Sequence, residues 1–283
     1  MTIKDAITFG TKVLESINIE NARFESEIIL AHILNIKRYN LYLNFAQELS
    51  KLQSKNYSSY INKRKKHIPL QYLLKSQEFM DVKLYIDKGV LIPRPETEIL
   101  VEKFIELVKN KSKKIKILDI GTGSGNIAIM LALNLNCVVY AADISVDALK
   151  IAKYNAKQYK VSDKIKFIQA DILNLLPTFC DFDAVISNPP YIKSDDIDKL
   201  SDEVSKYEPR IALDGGKDGL LFYKSILSKI KKILKPNGII AFEIGMGQKK
   251  HLLQILNQLG NFTDIKFIKD YQSIDRVVFA RMI

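Results

Sequence analysis

The alternation of short apolar β-like runs with helical runs, from about residue 93 onward, restricts the fold of this 283-residue chain more than any other feature. KIKILDI (114–120) precedes the helical run NIAIMLALNL (126–135), and CVVYAADI (137–144) precedes VDALKIAKYNAKQY (146–159). Strand–helix alternation with short connections predicts an α/β fold with a mostly parallel, doubly wound sheet. Ligands of such sheets bind beyond the carboxyl ends of the strands, so the residues there are the candidates for a site.

The part of the chain before this pattern has a different character. Residues 1–75 show helical periodicity and almost no β signal, which predicts a small helical bundle. Residues 76–92 include EFMDVKLYID (78–87), whose partly alternating apolar residues predict a short hairpin or connector. We therefore expect three parts: an N-terminal helical domain (1–75), a connector (76–92) and an α/β domain (93–283).

The stretch LDIGTGSGN (118–126) ends the first strand of the predicted sheet. Its three alternating glycines allow the backbone to turn sharply and to approach a ligand at a helix N-terminus. Asp143 ends the next strand, where a carboxylate is able to accept both hydroxyls of a ribose. The G-x-G-x-G spacing differs from that of dinucleotide sites, and Asp119 repels a pyrophosphate but suits a cationic sulfonium or ammonium group. The loop therefore predicts an S-adenosylmethionine site rather than a turn used only for packing.

Asp171 ends the third strand and is followed by Ile172. The Asp171 carboxylate is able to accept from an adenine amino group while the Ile172 N–H meets a ring nitrogen. The alternative is that Asp171 only caps a turn. The candidate cofactor-binding residues are Asp119, Gly121, Thr122, Gly123, Ser124, Gly125, Asp143, Asp171, Ile172 and Asn188.

The stretch SNPPYI (187–192) follows an apolar run that predicts a fourth buried strand. Pro189 and Pro190 end that strand because proline has no N–H, and a proline holds the preceding Asn188 extended. The Asn188 side-chain oxygen and the Pro189 carbonyl are each able to accept one N–H of a planar –NH₂ group, and Tyr191 is able to pack against its flat face. Held by these two hydrogen bonds, the poorly nucleophilic nitrogen of the –NH₂ group is aligned for methyl transfer. These four residues are the candidate catalytic and substrate-binding residues.

Composition and charge argue against a membrane, secreted, disulfide-rich or metal-binding protein. No apolar run is long enough for a membrane helix, and the N-terminus is not a secretory signal. The two cysteines, Cys137 and Cys180, and three scattered histidines indicate neither a disulfide framework nor a metal site. We expect a cytoplasmic protein without a metal. The net charge of +11 is spread along the chain, and the basic run NKRKKH (62–67) is either a solvated helix end or a contact to RNA or an acidic partner.

Three further motifs give the chain a family resemblance. PRPETE (93–98), KYEPRIAL (206–213) and DYQSIDRVVFAR (270–281), together with DIGTGSG and NPPY, resemble the HemK/PrmC family of release factor glutamine methyltransferases over almost the whole chain. The resemblance implies a class I S-adenosylmethionine-dependent methyltransferase domain, Rossmann-like, with about seven strands. The last strand would be antiparallel, at a short C-terminal edge of the sheet.

The resemblance also implies a substrate and an activity. The substrate would be the glutamine of the Gly-Gly-Gln motif of class 1 peptide chain release factors, methylated on N5 in support of translation termination. The product of the cofactor would be S-adenosylhomocysteine. We expect a monomer whose helical domain docks the release factor, without a membrane or a stable nucleic-acid partner.

Carried over residue by residue, the resemblance assigns the cofactor to the Gly121–Gly125 loop and Asp143. It assigns the adenine to Asp171 and the Ile172 amide, and the glutamine amide to residues 188–191.

Five more residues belong to the motifs PRPETE and KYEPRIAL, and each of them has either a role in the site or a structural role. Arg94, Glu96 and Thr97 would shape the pocket floor, or Arg94 and Glu96 would serve in purely structural Arg–Glu pairing. Glu208 and Arg210 would belong to the site or to a surface loop held by salt bridges.

Two other functions remain open at this point. NPPY and the positive charge also fit a nucleic-acid amino-methyltransferase acting on adenine N6 or guanine N2 of DNA or rRNA, although no OB-fold, KH or zinc module is evident beside the α/β domain. A non-catalytic cofactor-binding scaffold is the other alternative. The presence of both Asn188 and Tyr191 beside an intact glycine loop argues against it.

Overall fold

The computed structural model describes residues 1–109, 113–174 and 181–283. These residues form two compact units. One contains Met1–Ser76 and Ser201–Tyr207, and the other contains Gln77–Leu200 and Glu208–Ile283. The short segment Ser201–Tyr207 therefore belongs to the first unit although it lies within the sequence of the second.

The helices and strands of the described residues run in an order that matches the predicted change of character along the chain. They are α1 (Ile3–Glu15), α2 (Ala22–Leu34), α3 (Tyr39–Leu43), α4 (Lys51–Arg64), α5 (Leu70–Leu74), β1 (Ser76–Phe79), β2 (Val82–Tyr85), α6 (Pro95–Val108), β3 (Ile115–Ile120), α7 (Asn126–Asn134), β4 (Cys137–Asp143), α8 (Val146–Gln158), β5 (Ile165–Gln169), β6 (Phe182–Ser187), α9 (Asp202–Tyr207), α10 (Leu221–Lys229), β7 (Leu234–Glu243), α11 (Lys249–Leu259), β8 (Phe262–Lys269) and β9 (Asp275–Met282).

The helical unit has a buried apolar core, to which a capping box and one close helix approach are added. A capping box begins α1, in which the Thr2 hydroxyl accepts from the Asp5 N–H and the Asp5 carboxylate accepts from the Thr2 N–H. Gly10 leaves room for Ser26 of α2 and Tyr57 of α4, whose hydroxyl oxygens lie 2.6 Å apart. A Cβ at Gly10 would stand 2.0 Å from the Tyr57 hydroxyl oxygen, so a side chain there would separate the three helices.

The basic run 62–67 is not uniformly solvated. Its lysines are exposed, but Arg64 is 2% exposed and forms ion pairs with Glu25 and Glu203 within the helical unit. A buried guanidinium needs such partners, because an unpaired buried charge is costly. One cation of the run is therefore a structural element of this unit and not part of an open basic face.

The sheet of the second unit has seven strands in the order β5-β4-β3-β6-β7-β9-β8. Neighbours from β5 to β7 pair in parallel, whereas β9 is antiparallel to both β7 and β8. The chain moves outward from β3 to β4 and β5 and then returns to β6 on the other side of β3. This reversal of direction brings the loop after β3 next to the loop after β6, which is where ligands of such sheets bind.

The last strand confirms one expectation and corrects another. β9 is antiparallel, as the resemblance implied, but it is not an edge strand, because it lies between β7 and β8. Its continuous buried run Val277–Ala280 is typical of a central strand covered on both faces. β8 forms the edge, and it carries exposed polar side chains such as Thr263 and Asp264. Before residue 93, β1 and β2 form a separate two-stranded sheet.

Two predictions from composition are addressed by the described residues. None of the helices in the described ranges is long and apolar enough to cross a membrane. Cys137, at the start of β4, is a buried free thiol, and its burial raises the pKa of that thiol to about 11. Cys180 lies outside the described residues.

Candidate active site

A cavity lies at the carboxyl ends of β3, β4 and β6, and most of the predicted site residues line it. Predicted residues on its wall are Gly121, Gly123, Asp143, Asp171, Ile172, Asn188, Pro189 and Pro190. Apolar side chains, among them Val90, Ile144, Ile211 and Phe222, complete the wall. Asp119, Thr122, Ser124, Gly125 and Tyr191 are not among the residues that line it.

The glycine loop and Asp143 form one hydrogen-bonded unit. The Gly121 and Thr122 N–H groups donate to the carbonyl of Ala142 at 2.8 and 3.0 Å. The Gly123 N–H donates to Asp143 Oδ2, and the Ser145 N–H donates to Asp143 Oδ1, both at 2.9 Å. Burial raises the pKa of Asp143, and these two N–H groups oppose that effect. The carboxylate is therefore held in one orientation at the cavity wall.

The three glycines differ in what surrounds them. All three have positive φ, of 72°, 55° and 83° for Gly121, Gly123 and Gly125, which side chains rarely adopt. A Cβ on Gly121 or Gly123 would meet no atom closer than 4.0 Å, so both positions face open space that a side chain would fill. A Cβ on Gly125 would lie 3.1 Å from the Cβ of Ala152 on α8. Gly125 thus serves helix packing, and the other two leave room for a ligand close to the backbone.

These observations fit an adenosyl cofactor. The open backbone at Gly121 and Gly123 lies beside the held Asp143 carboxylate, which retains lone pairs for ribose hydroxyls. Apolar side chains such as Ile144 and Ile172 offer flat contacts for a purine ring. The carboxylate, the apolar side chains and the open space at the glycines fit the cofactor that the sequence predicts.

Asp119 lies behind the cavity wall. It is fully buried, its Oδ2 accepts a 2.6 Å hydrogen bond from the Thr122 hydroxyl, and its Oδ1 has no hydrogen-bond partner. Burial and the nearby charge of Asp143 raise the pKa of Asp119 to about 7. Through the Thr122 hydroxyl, Asp119 supports the turn of the glycine loop.

Asp171 both lines the cavity and caps a turn. Its Oδ1 accepts from the Leu173 N–H at 2.9 Å, and its Oδ2 accepts from the Asn174 side chain at 2.7 Å. Lys229 on α10 holds the same turn, since its Nζ donates to the carbonyls of Ile172 and Leu173 at 2.8 and 2.6 Å. The two interpretations of Asp171 are therefore compatible, because a carboxylate has more lone pairs than the turn uses.

A buried carboxylate lies behind the NPPY loop. Asn188 Nδ2 donates to the Thr97 hydroxyl oxygen at 3.1 Å, and that hydroxyl donates to Glu243 Oε2 at 2.6 Å. The Tyr191 hydroxyl donates to Glu243 Oε1 at 3.2 Å. Thr97 and Glu243 are each 1% exposed. Sequence reasoning did not select Glu243, although a lone acidic residue at the end of the apolar run GIIAFE was a detectable signal.

The backbone of the loop is held from two further sides. A Cβ on Gly215 would lie 2.7 Å from the Tyr191 Cα, so only glycine allows this approach. Gln248 Nε2 donates to the carbonyls of Tyr191 and Gly219, each at 3.0 Å, and Gln248 Oε1 accepts from the Gly245 N–H at 2.9 Å. The positions of the loop carbonyls are therefore determined by packing as well as by the two prolines.

The remaining motif residues form ion pairs. Arg94 pairs with Glu208, whose side chain is 1% exposed, and Arg276 approaches Glu96 at 4.0 Å. Arg210 is exposed and lies 3.3 Å from the carboxylate of Asp198. Arg94 and Glu96 thus each approach an oppositely charged side chain, but these are Glu208 and Arg276 and not each other.

Comparison with known proteins identifies the class. The methyltransferase domain family matches residues 111–269, more than half of the chain, and the PrmC N-terminal domain family matches residues 5–74. The human methyltransferase 10 domain-containing protein has the same fold, with a TM-score of 0.51 and 22% identity over 70% of this chain and 88% of its own. The sheet order and the glycine loop agree with these matches. The second unit is a class I S-adenosylmethionine-dependent methyltransferase domain.

The relatives identify the family. The release factor glutamine methyltransferase of Clostridium acetobutylicum is 43% identical over 99% of this chain and 98% of its own length. The protein of the same name from Clostridium botulinum is 39% identical over 99% of both chains. This chain belongs to the release factor glutamine methyltransferase family, as the motifs around NPPY predicted.

Proposed function

We propose that this enzyme methylates the side-chain amide nitrogen, N5, of the glutamine in the Gly-Gly-Gln motif of class 1 peptide chain release factors. One structural observation carries the proposal. Asn188 lies on the cavity wall with its Nδ2 used by Thr97, which leaves its Oδ1 as the side-chain atom that is able to accept from a substrate. An acceptor at this point, beside the Pro189 carbonyl, suits an –NH₂ group.

The residues of the loop act by alignment. Asn188 Oδ1 and the Pro189 carbonyl each accept one N–H of the glutamine amide, which holds its nitrogen toward the cofactor cavity. The same two dipoles favour the positive charge that develops on the nitrogen. No strong base is needed, because the N–H proton becomes acidic once the new N–C bond has formed. Tyr191 is held at the back of the loop by Glu243.

The cofactor residues act by binding and orientation. S-adenosylmethionine, when bound, supplies an electrophilic methyl group, and S-adenosylhomocysteine is the product. Asp143 accepts from the ribose hydroxyls, and Gly121 and Gly123 let the cofactor approach the backbone. Asp171 and the Ile172 amide hold the adenine. The Ile172 carbonyl is already used by Lys229, so the turn that presents this amide is fixed before binding.

A methyl-transfer assay tests the function directly. Purified enzyme with labelled S-adenosylmethionine is offered a release factor, total RNA and duplex DNA in parallel. We expect label on the release factor only, and its loss when the glutamine of the Gly-Gly-Gln motif is replaced by alanine. Label in nucleic acid alone would contradict the proposal and favour an adenine or guanine amino-methyltransferase.

The helical unit is proposed as the docking surface for the release factor. Three large apolar side chains of α3 and α4 are well exposed: Leu43 at 78%, Leu52 at 66% and Tyr39 at 59%. Exposed apolar groups of this size are typical of binding surfaces. We also propose that the enzyme acts as a monomer, in the cytoplasm, without a stable nucleic-acid partner.

Serine substitutions test the docking surface. We expect Tyr39→Ser, Leu43→Ser and Leu52→Ser combined to raise the KM for an intact release factor about tenfold or more, because apolar contact area is lost. The KM for a short Gly-Gly-Gln peptide should not change, since the peptide reaches only the cavity. Leu107→Ser, on an exposed position of α6, is the matched control. An equal rise for protein and peptide would contradict docking by this unit.

A further inference from the structure

The polar side chains of the NPPY loop meet at one carboxylate. Asn188 reaches Glu243 through the Thr97 hydroxyl, and Tyr191 reaches it directly. The three groups come from distant parts of the chain: Thr97 from the first turn of α6, Glu243 from the end of β7, and the loop from the end of β6. We propose that Glu243 is a positioning residue, which acts through Thr97 to hold Asn188 with its carbonyl oxygen toward the substrate. The proposal rests on the proposed function and deepens it.

The direction of the hydrogen bonds follows from counting protons. An ionised carboxylate only accepts, so the single hydroxyl proton of Thr97 points to Glu243 Oε2. The Thr97 oxygen is then available to Asn188 only as an acceptor, so Asn188 must turn its –NH₂ group toward it. The carbonyl oxygen of the same amide is thereby turned away from Thr97. A planar amide has only these two orientations, which differ in whether the substrate meets an acceptor or a donor.

A substrate –NH₂ group needs the acceptor. If Asn188 were flipped, its own –NH₂ group would face the N–H groups of the glutamine amide, and one of the two acceptors that align the nitrogen would be lost. We call the hydrogen-bonded chain from Asn188 through Thr97 to Glu243 the relay. Tyr191 is bound to the relay as well, because its hydroxyl proton points to Glu243 Oε1. The relay therefore sets the polarity of the pocket although Glu243 and Thr97 are buried behind the loop.

The surroundings of Glu243 make its charge state sensitive to pH. Burial raises the pKa of Glu243 to about 7, and Glu96 on α6 acts in the same direction. The hydrogen bonds from Thr97 and Tyr191 and the charge of Arg276 on β9 oppose the rise. From α10, the Tyr223 hydroxyl donates to the Glu243 backbone carbonyl at 2.8 Å and not to its carboxylate. A protonated Glu243 is able to donate to Thr97, which frees the Thr97 proton for a flipped Asn188.

Three variants test the relay with a release-factor peptide as substrate. Thr97→Val removes the hydroxyl, and we expect kcat to fall about 10- to 100-fold, as is usual when a positioning partner is lost. Thr97→Ser retains the hydroxyl and should restore most of the rate. For the wild type, kcat should fall as the pH drops through about 7. Glu243→Gln cannot ionise and should show a weaker dependence, what remains coming from Asp119, whose pKa is also raised to about 7. The Kd of S-adenosylmethionine should be unchanged in all three.

NMR of the Asn188 side-chain amide tests the relay without measuring activity. In ¹⁵N-labelled protein, the side-chain –NH₂ signals of Asn188, assigned by their absence in Asn188→Ala, should shift with a midpoint near pH 7. The shift should be absent in Glu243→Gln. Asn155 is the control, since its buried –NH₂ group donates to the carbonyls of Tyr85 and Ser124 and lies outside the relay.

Stability measurements test the charge state of Glu243 independently of activity. Because the Glu243 pKa is raised from 4.5 to about 7, folding favours its protonated form, and this group lowers the free energy of unfolding as the pH rises through that window. The Tm of Glu243→Gln relative to wild type should therefore increase with pH. A Thr97→Val enzyme with full kcat, a kcat in Glu243→Gln with the same pH dependence as the wild type, or an unmoved Asn188 signal would overturn the inference.

The outcomes also distinguish the inference from the function on which it rests. A wild-type enzyme that methylates no release factor would overturn the proposed function, while the Asn188 signal would still report on the relay. An active wild type with an unmoved Asn188 signal would overturn the relay alone. Loss of S-adenosylmethionine binding together with the rate in Thr97→Val would assign Thr97 and Glu243 a structural role, against the inference.

Discussion

Replacement of Asn188 by alanine is expected to lower kcat by about 10²–10³-fold or more while S-adenosylmethionine still binds. In the proposed mechanism the substitution removes one of two acceptors for the glutamine amide, and the loss of one such group at a charged transition state typically has this cost. The side chain contributes one contact among many on the cavity wall, so the affinity for the cofactor should remain within a few fold. Single-turnover rates and calorimetric titration of the cofactor measure the two effects separately.

The same measurements on a second asparagine provide the control. Asn136 is exposed, at the turn between α7 and β4, and its side chain lies outside the site, so Asn136→Ala should behave as wild type. If Asn188→Ala retained its rate, the alignment mechanism would be wrong. A loss of cofactor affinity as large as the loss of rate would instead assign Asn188 mainly to cofactor binding.

Replacement of Asp143 by asparagine is expected to weaken binding of S-adenosylmethionine about 10²-fold, or about 3 kcal/mol. Both Asp143 oxygens accept backbone N–H groups, from Gly123 and Ser145, at 2.9 Å. An asparagine must direct its –NH₂ group at one of these donors, so the loop shifts and a charged acceptor for the ribose is lost. At saturating cofactor, kcat should be nearly unchanged, because the glutamine pocket is not touched.

Asp147→Asn is a matched control for this prediction. Asp147 lies in the first turn of α8, with a side chain 74% exposed that pairs with Lys150 at the surface. The same change of charge there should leave the Kd of the cofactor within a factor of about two. A wild-type Kd in Asp143→Asn would remove Asp143 from the cofactor site.

Much of the fold was predictable, and the candidate cofactor residues were selected, because the signals are local. The G-x-G-x-G stretch and Asp143 each follow a strand, and strand–helix alternation determines which strand ends share an edge. The resemblance of the motifs to a known family then restricted the choice among possible substrates. The place of β9 was not predictable in this way, since its apolar run 277–280 fits any strand covered on both faces. The sequence contains no local signal for which strands become its neighbours.

Arg64 shows a second limit of sequence reasoning. It belongs to the basic run 62–67, which favoured an interpretation as a solvated helix end or as a contact to RNA or an acidic partner. The structure buries Arg64 among carboxylates of the helical unit. Side-chain direction depends on packing, and a charge motif does not specify it.

The sequence by itself determined the α/β fold and predicted a glycine loop and an NPPY loop at the ends of strands, because each depends on residues close together along the chain. Only the tertiary structure decided the partners of the NPPY loop. Thr97 is 91 residues from Asn188, and Glu243 is 146 residues from Thr97, yet hydrogen bonds join all three. Such contacts arise from the order of strands in the sheet and from the packing of α6. The physical reason is that a buried carboxylate requires donors, and the fold determines which residues supply them.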